Sequence, residues 1–320
     1  MTKSALIIGV SGQDGAYLAE LLLKKGYEVT GTSRDSDLND FRNLQYLNIK
    51  ESVNLLSVLP TSKHSICDVI RKIKPNEIYN LSGQSSVALS FEQPEETTKS
   101  IILPTLNILE AIKDIDQEIK FYNACSSECF GDTCGIAADE KSLFQPCSPY
   151  AIAKAIAFWQ VSQYRNTYEL FVCSGILFNH DSPLRPRRFV TRKIISTAYR
   201  IANGENIRLS LGELKIKRDW GWAPDYVKAM HKMLQIKKPE DFVIATGELT
   251  SLEKYVEYAF KQYGLDWHEY VDIDEQLFRP TDIKSGYGNA NKAKEILGWV
   301  AKHKVMEVIE LMTKYEENST

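Results

Sequence analysis

Tyr150 and Lys154 stand four residues apart in Ser148-Pro-Tyr-Ala-Ile-Ala-Lys154, and Ser126-Ser127-Glu128 lies upstream of them. Residues at i and i+4 share one face of a helix, so a helix beginning near Pro149 sets the phenol beside the ammonium. A neighbouring ammonium favours phenolate and lowers the phenol's pKa. Such a phenolate can take the proton of an alcohol while hydride leaves the same carbon. The Ser126 hydroxyl is expected to hold the same oxygen. Glu128 adds a second acid/base two residues beyond that serine. A carboxylate there suits another proton transfer, such as elimination beside a ketone. Each residue has a plainer alternative: Tyr150 as an interfacial aromatic, Glu128 as a solvated loop acid. Tyr46 and Lys50 repeat the Tyr-x-x-x-Lys pattern. That pair has no serine strand before it and no clear helix around it, and we read it as coincidence.

Hydride needs an acceptor. The loop Gly9-Val-Ser-Gly12-Gln13-Asp14-Gly15 follows a short apolar strand and opens a helix. Glycines there let the backbone turn tightly and approach a pyrophosphate, which the helix N-terminus attracts. An ordinary tight turn is the alternative. Gly9, Gly12, Gln13, Asp14 and Gly15 are the expected dinucleotide contacts, with Arg34 after the second strand. An NAD-preferring fold usually carries an acid at that strand end, whereas an arginine can pair with a 2′-phosphate. No acid precedes Arg34 in Gly31-Thr-Ser-Arg34, so NADP is predicted; the adjacent Asp35 keeps NAD open. Further along, Arg185, Lys193, Arg218 and Arg279 fall in loops or at helix starts, and Asn179 follows a buried strand. Singly these are surface groups; beside a dinucleotide loop they suit a diphosphate-bearing substrate.

The elements that would position these groups alternate. Strand patterns run over 4–10, 27–32, 53–59, 77–82, 120–125 and 170–178. Helical patterns run over 15–25, 66–73, 105–113 and 148–164, then 189–201, 223–234 and 252–263. Such alternation predicts an α/β, Rossmann-type, doubly wound parallel sheet with a smaller α/β substrate lobe. Residues 1–178 with about 219–248 are assigned to the dinucleotide-binding domain, and 179–218 with 249–320 to the lobe.

The 320 residues carry a net charge of -3, which argues against a nucleic-acid partner. No stretch reaches the ~18 apolar residues of a membrane span, and the start of the chain has no signal-peptide pattern. Six scattered cysteines, with Cys125, Cys129 and Cys134 grouped, read as reduced thiols rather than a metal site. A cytoplasmic, metal-free protein is expected.

Together these motifs resemble the extended short-chain dehydrogenase/reductases, and most of all the GDP-mannose 4,6-dehydratase family. The resemblance runs over nearly the whole chain. Its carriers are the glycine loop, Glu77-Ile-Tyr-Asn-Leu81, Gln84-Ser85, Ser90-Phe-Glu92 and Ser148–Lys154. More specific are Gly175–Pro183, Phe189-Val-Thr-Arg-Lys193, Lys217-Arg-Asp-Trp-Gly221, Asp225–Met230, Pro239–Gly247 and Arg279-Pro280. The resemblance implies a nucleotide-sugar dehydratase with internal hydride transfer through NADP. Tyr150 would take the C4 hydroxyl proton, and Lys154 would bind the nicotinamide ribose. Glu128 would remove the C5 proton and, with Ser126, assist the departure of water from C6. Ser85, Asn179, Arg218 and Arg279 would bind the sugar diphosphate, with the backbone near Val190 and the Lys193 side chain reading guanine.

The chain departs from the family pattern in places. Ser126 replaces a threonine, Phe130 a tyrosine, and Leu59-Pro60 an Asp-Leu pair at the adenine. Residues 99–105 lack the family's acid and glycine. Leu184, Pro186 and Trp222 are less polar than expected near the substrate. The loop after the second strand is short, which favours a homodimer over a tetramer. The substrate implied is GDP-mannose or a related GDP-hexose or heptose. Two other readings are an NADPH-dependent reductase or epimerase of a GDP-4-keto-6-deoxy sugar, and a non-catalytic dinucleotide-sensing protein.

Overall fold

The computed structural model describes residues 2–318. In its first half, strands and helices alternate as β1 (Ser4–Ile8), α1 (Gln13–Lys24), β2 (Glu28–Ser33), α2 (Arg42–Tyr46), β3 (Asn54–Ser57), α3 (Lys63–Ile73) and β4 (Glu77–Asn80). Two helices in succession follow, α4 (Val87–Glu92) and α5 (Pro94–Ile115), then β5 (Lys120–Ser126), α6 (Pro149–Tyr168) and β6 (Val172–Leu177). The second half is β7 (Asn179–Asp181), α7 (Val190–Ala202), β8 (Leu209–Leu211), β9 (Lys217–Arg218), β10 (Trp220–Trp222), α8 (Ala223–Met233) and β11 (Phe242–Ile244). It ends with β12 (Thr250–Ser251), α9 (Leu252–Lys261), β13 (Val271–Ile273), β14 (Ser285–Gly286), α10 (Asn291–Leu297) and α11 (Val305–Asn318).

Seven strands form one sheet in the order β3-β2-β1-β4-β5-β6-β11, and every neighbouring pair is parallel. Its central strands are buried on both faces: Ala5 to Ile8 and all of β6 are inaccessible or nearly so. Continuous burial without alternation belongs to a parallel sheet with helices on each side. One face packs on α1, α2 and α8 through Tyr17, Leu18, Leu22, Leu44, Tyr226 and Met230. The other packs on α3, α5 and α6 through Ile66, Ile70, Ile108, Ile112 and Val161. The expected α/β architecture is therefore present. Strand order reverses between β1 and β4, which opens a crevice at the carboxyl ends of the strands.

The lobe has its own core of Ile194, Ala198, Trp220, Tyr255, Val256, Val308 and Met312, drawn from α7, β10, α9 and α11. Within the span expected to belong to the lobe, Ala293, Leu297, Trp299 and Ala301 pack instead into the core of α1 and α8.

Two differences from the sequence expectation are instructive. The helix anticipated over 105–113 runs from Pro94 to Ile115 with Pro104 inside it. Pro104 removes one backbone bond, but burial of Thr97, Ile101, Pro104, Thr105 and Ile108 carries the helix through. The C-terminal helix α11 was missed, although Val305, Val308, Ile309 and Met312 hold helical spacing and are buried.

Candidate active site

A cleft of about 550 Å³ lies at the crevice between sheet and lobe, a volume in the range of small-molecule sites. Gly9, Gly12, Gln13, Asp14 and Gly15 line it from β1 and α1. Ser85 comes from the loop after β4, and Ser126, Glu128, Tyr150 and Lys154 come from β5 and α6. Asn179, Val190, Lys193, Arg218 and Arg279 face in from the lobe.

The glycine loop has the shape that a dinucleotide requires. Gly9 adopts φ +93°, and a Cβ there would stand 2.9 Å from the Leu81 carbonyl oxygen. A Cβ on Gly15 would stand 2.4 Å from the Gly9 carbonyl oxygen. Neither position admits a side chain, so backbone closeness is built in. Helix α1 then begins at Gly12 with no side-chain cap, leaving first-turn N–H groups for an anion. These residues fit the diphosphate of a nicotinamide dinucleotide. Arg34 sits at the end of β2, off the cleft wall, with an exposed side chain 3.8 Å from Glu96. Asp35 turns into its own loop and accepts from the N–H groups of Asp37 and Leu38 at 3.0 Å each.

Helix α6 starts where the sequence expects. The Ser148 hydroxyl accepts from the Ala151 N–H at 3.1 Å, and Pro149 occupies the first turn. Tyr150 and Lys154 therefore share a face, with the ammonium 5.9 Å from the phenol ring centre. Their electrostatics depart from the expectation. Burial pushes the Tyr150 phenol up, and the Ser126 hydrogen bond offsets only part of this. Burial also pushes Lys154 down, and its Nζ donates to the Ala124 carbonyl at 2.7 Å rather than to the phenol. Burial, which penalises the charged phenolate, thus dominates the acidity of Tyr150 here.

Glu128 lies in a short turn after β5, and its N–H donates to the Ser126 hydroxyl at 3.2 Å. Burial raises its carboxyl, while the guanidinium groups of Arg218 and Arg279 pull it back. Both arginines share one acid. Arg218 donates to Asp282 Oδ1 at 3.0 Å, and Arg279 lies 3.6 Å from the same oxygen. Arg218 also donates to the carbonyls of Ile283 and Lys217. It is thus pinned before any substrate arrives. Lys193 donates to the Ser210 carbonyl at 2.6 Å. Arg185 pairs with Asp181 at 3.0 Å and stacks over Phe189.

Sequence reasoning missed three features here. His180 bridges the lobe to the glycine loop: one ring nitrogen lies 2.8 Å from Asp14 Oδ2, the other 2.8 Å from the Phe178 carbonyl. Ser182 donates to Gln13 Oε1 at 2.7 Å beside it. Asp282 was the third; only the fold brings it to Arg218. Of the apolar replacements expected near the substrate, Pro186 lines the cleft, Leu184 is buried in the sheet core, and Trp222 lines a separate cavity with Tyr17, Tyr46 and Tyr315. The cysteine group also divides. Cys125 and Cys129 are buried together and Cys134 is exposed. Among the described residues no group of side chains is arranged to hold a metal ion.

The comparison with known proteins bears on this geometry. A family profile described as GDP-mannose 4,6 dehydratase matches residues 6–312. The chain belongs to the GDP-mannose 4,6-dehydratase family. GDP-mannose 4,6 dehydratase 2 of Arabidopsis thaliana is 44% identical over 307 residues, covering 93% of this chain and 82% of that protein. The Vibrio cholerae GDP-mannose 4,6-dehydratase is 38% identical over 96% of this chain and 92% of its own. Among solved structures, the dTDP-glucose 4,6-dehydratase of Bacillus anthracis in complex with NAD superposes with a TM-score of 0.86 at 18% identity. That match covers 99% of this chain and 97% of the other. The UDP-glucose 4-epimerase of Thermotoga maritima gives 0.87 at 21%, covering 99% of each chain. At such identities these two establish the shared fold. No described helix is long and apolar enough to cross a membrane.

Proposed function

We propose that this chain is a GDP-sugar 4,6-dehydratase acting on GDP-mannose or a related GDP-hexose or heptose. The observation that carries the reading is one cleft wall holding Glu128 together with Ser126, Tyr150 and Lys154, in a chain of this family. A simple dehydrogenase has no use for the carboxylate.

A nicotinamide dinucleotide, when bound, supplies the site that accepts a hydride from C4 of the sugar and gives it back at C6. Tyr150 takes the C4 hydroxyl proton, and Ser126 holds that oxygen by hydrogen bonding. Lys154, anchored on Ala124, supplies positive charge beside the phenol and a donor to the ribose. The 4-ketone so formed acidifies C5–H. Glu128, raised by burial, removes that proton and returns one to the departing C6 hydroxyl, assisted by Ser126. Arg218, already oriented by Asp282, and Arg279 hold the diphosphate. Asn179 and Ser85 hold sugar hydroxyls, and the Val190 backbone with Lys193 reads guanine.

For the cofactor we read NADP. Arg34 offers an exposed cation at the end of β2, and Asp35 is spent on its own turn. For assembly we read a homodimer. Ile152, Ile156 and Trp159 on α6 and Leu103 on α5 form an exposed apolar stripe, the kind of surface a second copy covers. For location we read the cytoplasm.

The test is incubation with GDP-mannose, related GDP-hexoses and GDP-heptoses at catalytic NADP⁺. A product lighter by one water and carrying a 4-ketone, without net cofactor reduction, is expected. Stoichiometric NADPH consumption or inversion without loss of water points to a reductase or epimerase instead. No product from any of these sugars overturns the reading.

A further inference from the structure

Two cysteines bracket the segment that carries Ser126 and Glu128. Cys125 is in β5, and Cys129 lies in the turn Ser127–Phe130 that follows. Their sulfurs are 3.6 Å apart and both side chains are buried. Cys125 lines the cleft, whereas Cys129 packs behind it with Phe130, Ala155 and Phe178. Both touch α6: Cys125 Sγ is 3.9 Å from the Lys154 carbonyl oxygen, and Cys129 Sγ 3.6 Å from that of Ala151. The dehydration reaction uses neither thiol.

We propose that Cys125 and Cys129 are a modification site, a dithiol that a hydroperoxide closes to a disulfide, disabling the cleft as it closes. Disulfide sulfurs sit about 2.05 Å apart, so a pair now at 3.6 Å must close by roughly 1.5 Å. The ring that forms encloses Ser126, Ser127 and Glu128, the residues whose placement the chemistry needs. Both sulfurs are also wedged against the turn of α6 that carries Tyr150 and Lys154, so strain reaches both halves of the site. A displacement of about 1 Å at a reacting group costs on the order of 100-fold in rate.

The chemistry balances in two steps. Cys125, facing the cleft, attacks hydrogen peroxide; the O–O bond breaks, one oxygen stays on sulfur as a sulfenic acid, and water leaves. Cys129 sulfur then attacks the Cys125 sulfur, the S–O bond breaks, and the Cys129 proton departs with hydroxide as a second water. Two thiols are oxidised by two electrons, and the peroxide is reduced. Cys129, packed behind Cys125 with its sulfur 3.6 Å away, is placed for the second, resolving step. Dithiothreitol reverses the closure by thiol exchange.

The experiment uses the full chain carrying Cys134→Ser and Cys147→Ser, which removes the exposed thiols. After hydrogen peroxide treatment the protein is alkylated with iodoacetamide, and the tryptic peptide 121–141 is weighed. The expected peptide is lighter by two hydrogens and carries no alkyl group. Turnover should fall on the order of 100-fold, and dithiothreitol should restore both mass and turnover. Adding Cys129→Ser should abolish the disulfide and spare turnover during brief exposure; Cys129→Ala repeats that arm if the serine variant misfolds. Two alkylated cysteines after peroxide overturn the site. A disulfide with undiminished turnover, or equal loss in the Cys129 variants, overturns its role as a switch. The turnover arm rests on the dehydratase reading; the mass arm does not. A chain that turns over no GDP-sugar before oxidation therefore sinks that reading while the peptide mass still decides the disulfide.

Discussion

At the scale of single residues, the site is a balance of burial against charge. Glu128 is held up by desolvation and pulled down by Arg218 and Arg279, while Asp282 pushes it up again. Asp282 also ties the two arginines together. Replacing Asp282 with Asn removes a negative neighbour and leaves both guanidinium groups freer to act on Glu128. The Glu128 carboxyl should drop, and because it must be ionised to take the C5 proton, the acid limb of the pH–kcat profile should move to lower pH. A limb that stays put or moves upward contradicts this arrangement. That Tyr150, Lys154 and Glu128 meet at one cleft was legible in the sequence, because spacing along one helix and one strand end places them. Asp282 was not legible, since Arg218 lies far away in the chain and only β9 and β14 pairing brings it beside Asp282 and Arg279. The acidity of Tyr150 was misread for a related reason: spacing reveals the ammonium but not the burial that raises the phenol.

At the scale of elements, α8 is fastened to the sheet side by groups whose charge depends on pH. His231 packs edge-on against Tyr27, and its Nε2 lies 3.4 Å from the Tyr27 hydroxyl. Burial lowers the imidazole to about 4. The folded pKa is depressed, so the stabilisation is present above about 6.5 and is lost as pH falls from there towards 4. The shift corresponds to about 3 kcal/mol across that window. A His231→Gln variant should show a smaller fall in Tm between pH 7 and 4 than the parent; an identical fall rules out this residue as a source. Long, regular elements such as α1, α6 and the first six strands of the parallel sheet were readable from apolar patterning, whereas the three-residue β11 was not. The short strands β7 to β10 and β12 to β14 were not, because pairs of two or three residues have no period. They exist through the chain they meet, as when Thr250 and Gly286 both pair with Arg218.

At the scale of the whole molecule, the glycine loop, the serine strand and the arginines of the lobe converge on one cleft because the chain leaves the sheet after β6 and returns to it at β11. His180 and Ser182, just past that exit, pin the lobe to the glycine loop. The outward face of α6 supplies the assembly prediction. Ile152 and Ile156 are 48% and 41% exposed on one stripe. Replacing both with Lys should convert a homodimer into a folded monomer in sedimentation analysis. An unchanged mass would place the contact elsewhere.

The central claim is that hydride leaves one carbon and returns to another on the same sugar. GDP-mannose deuterated at C4 tests it directly, with Tyr150→Phe as the control that should lose at least about 100-fold in rate. The account predicts a 4-keto product, lighter by one water, that keeps its deuterium at C6. Deuterium found on released reduced cofactor, or lost altogether, would contradict it.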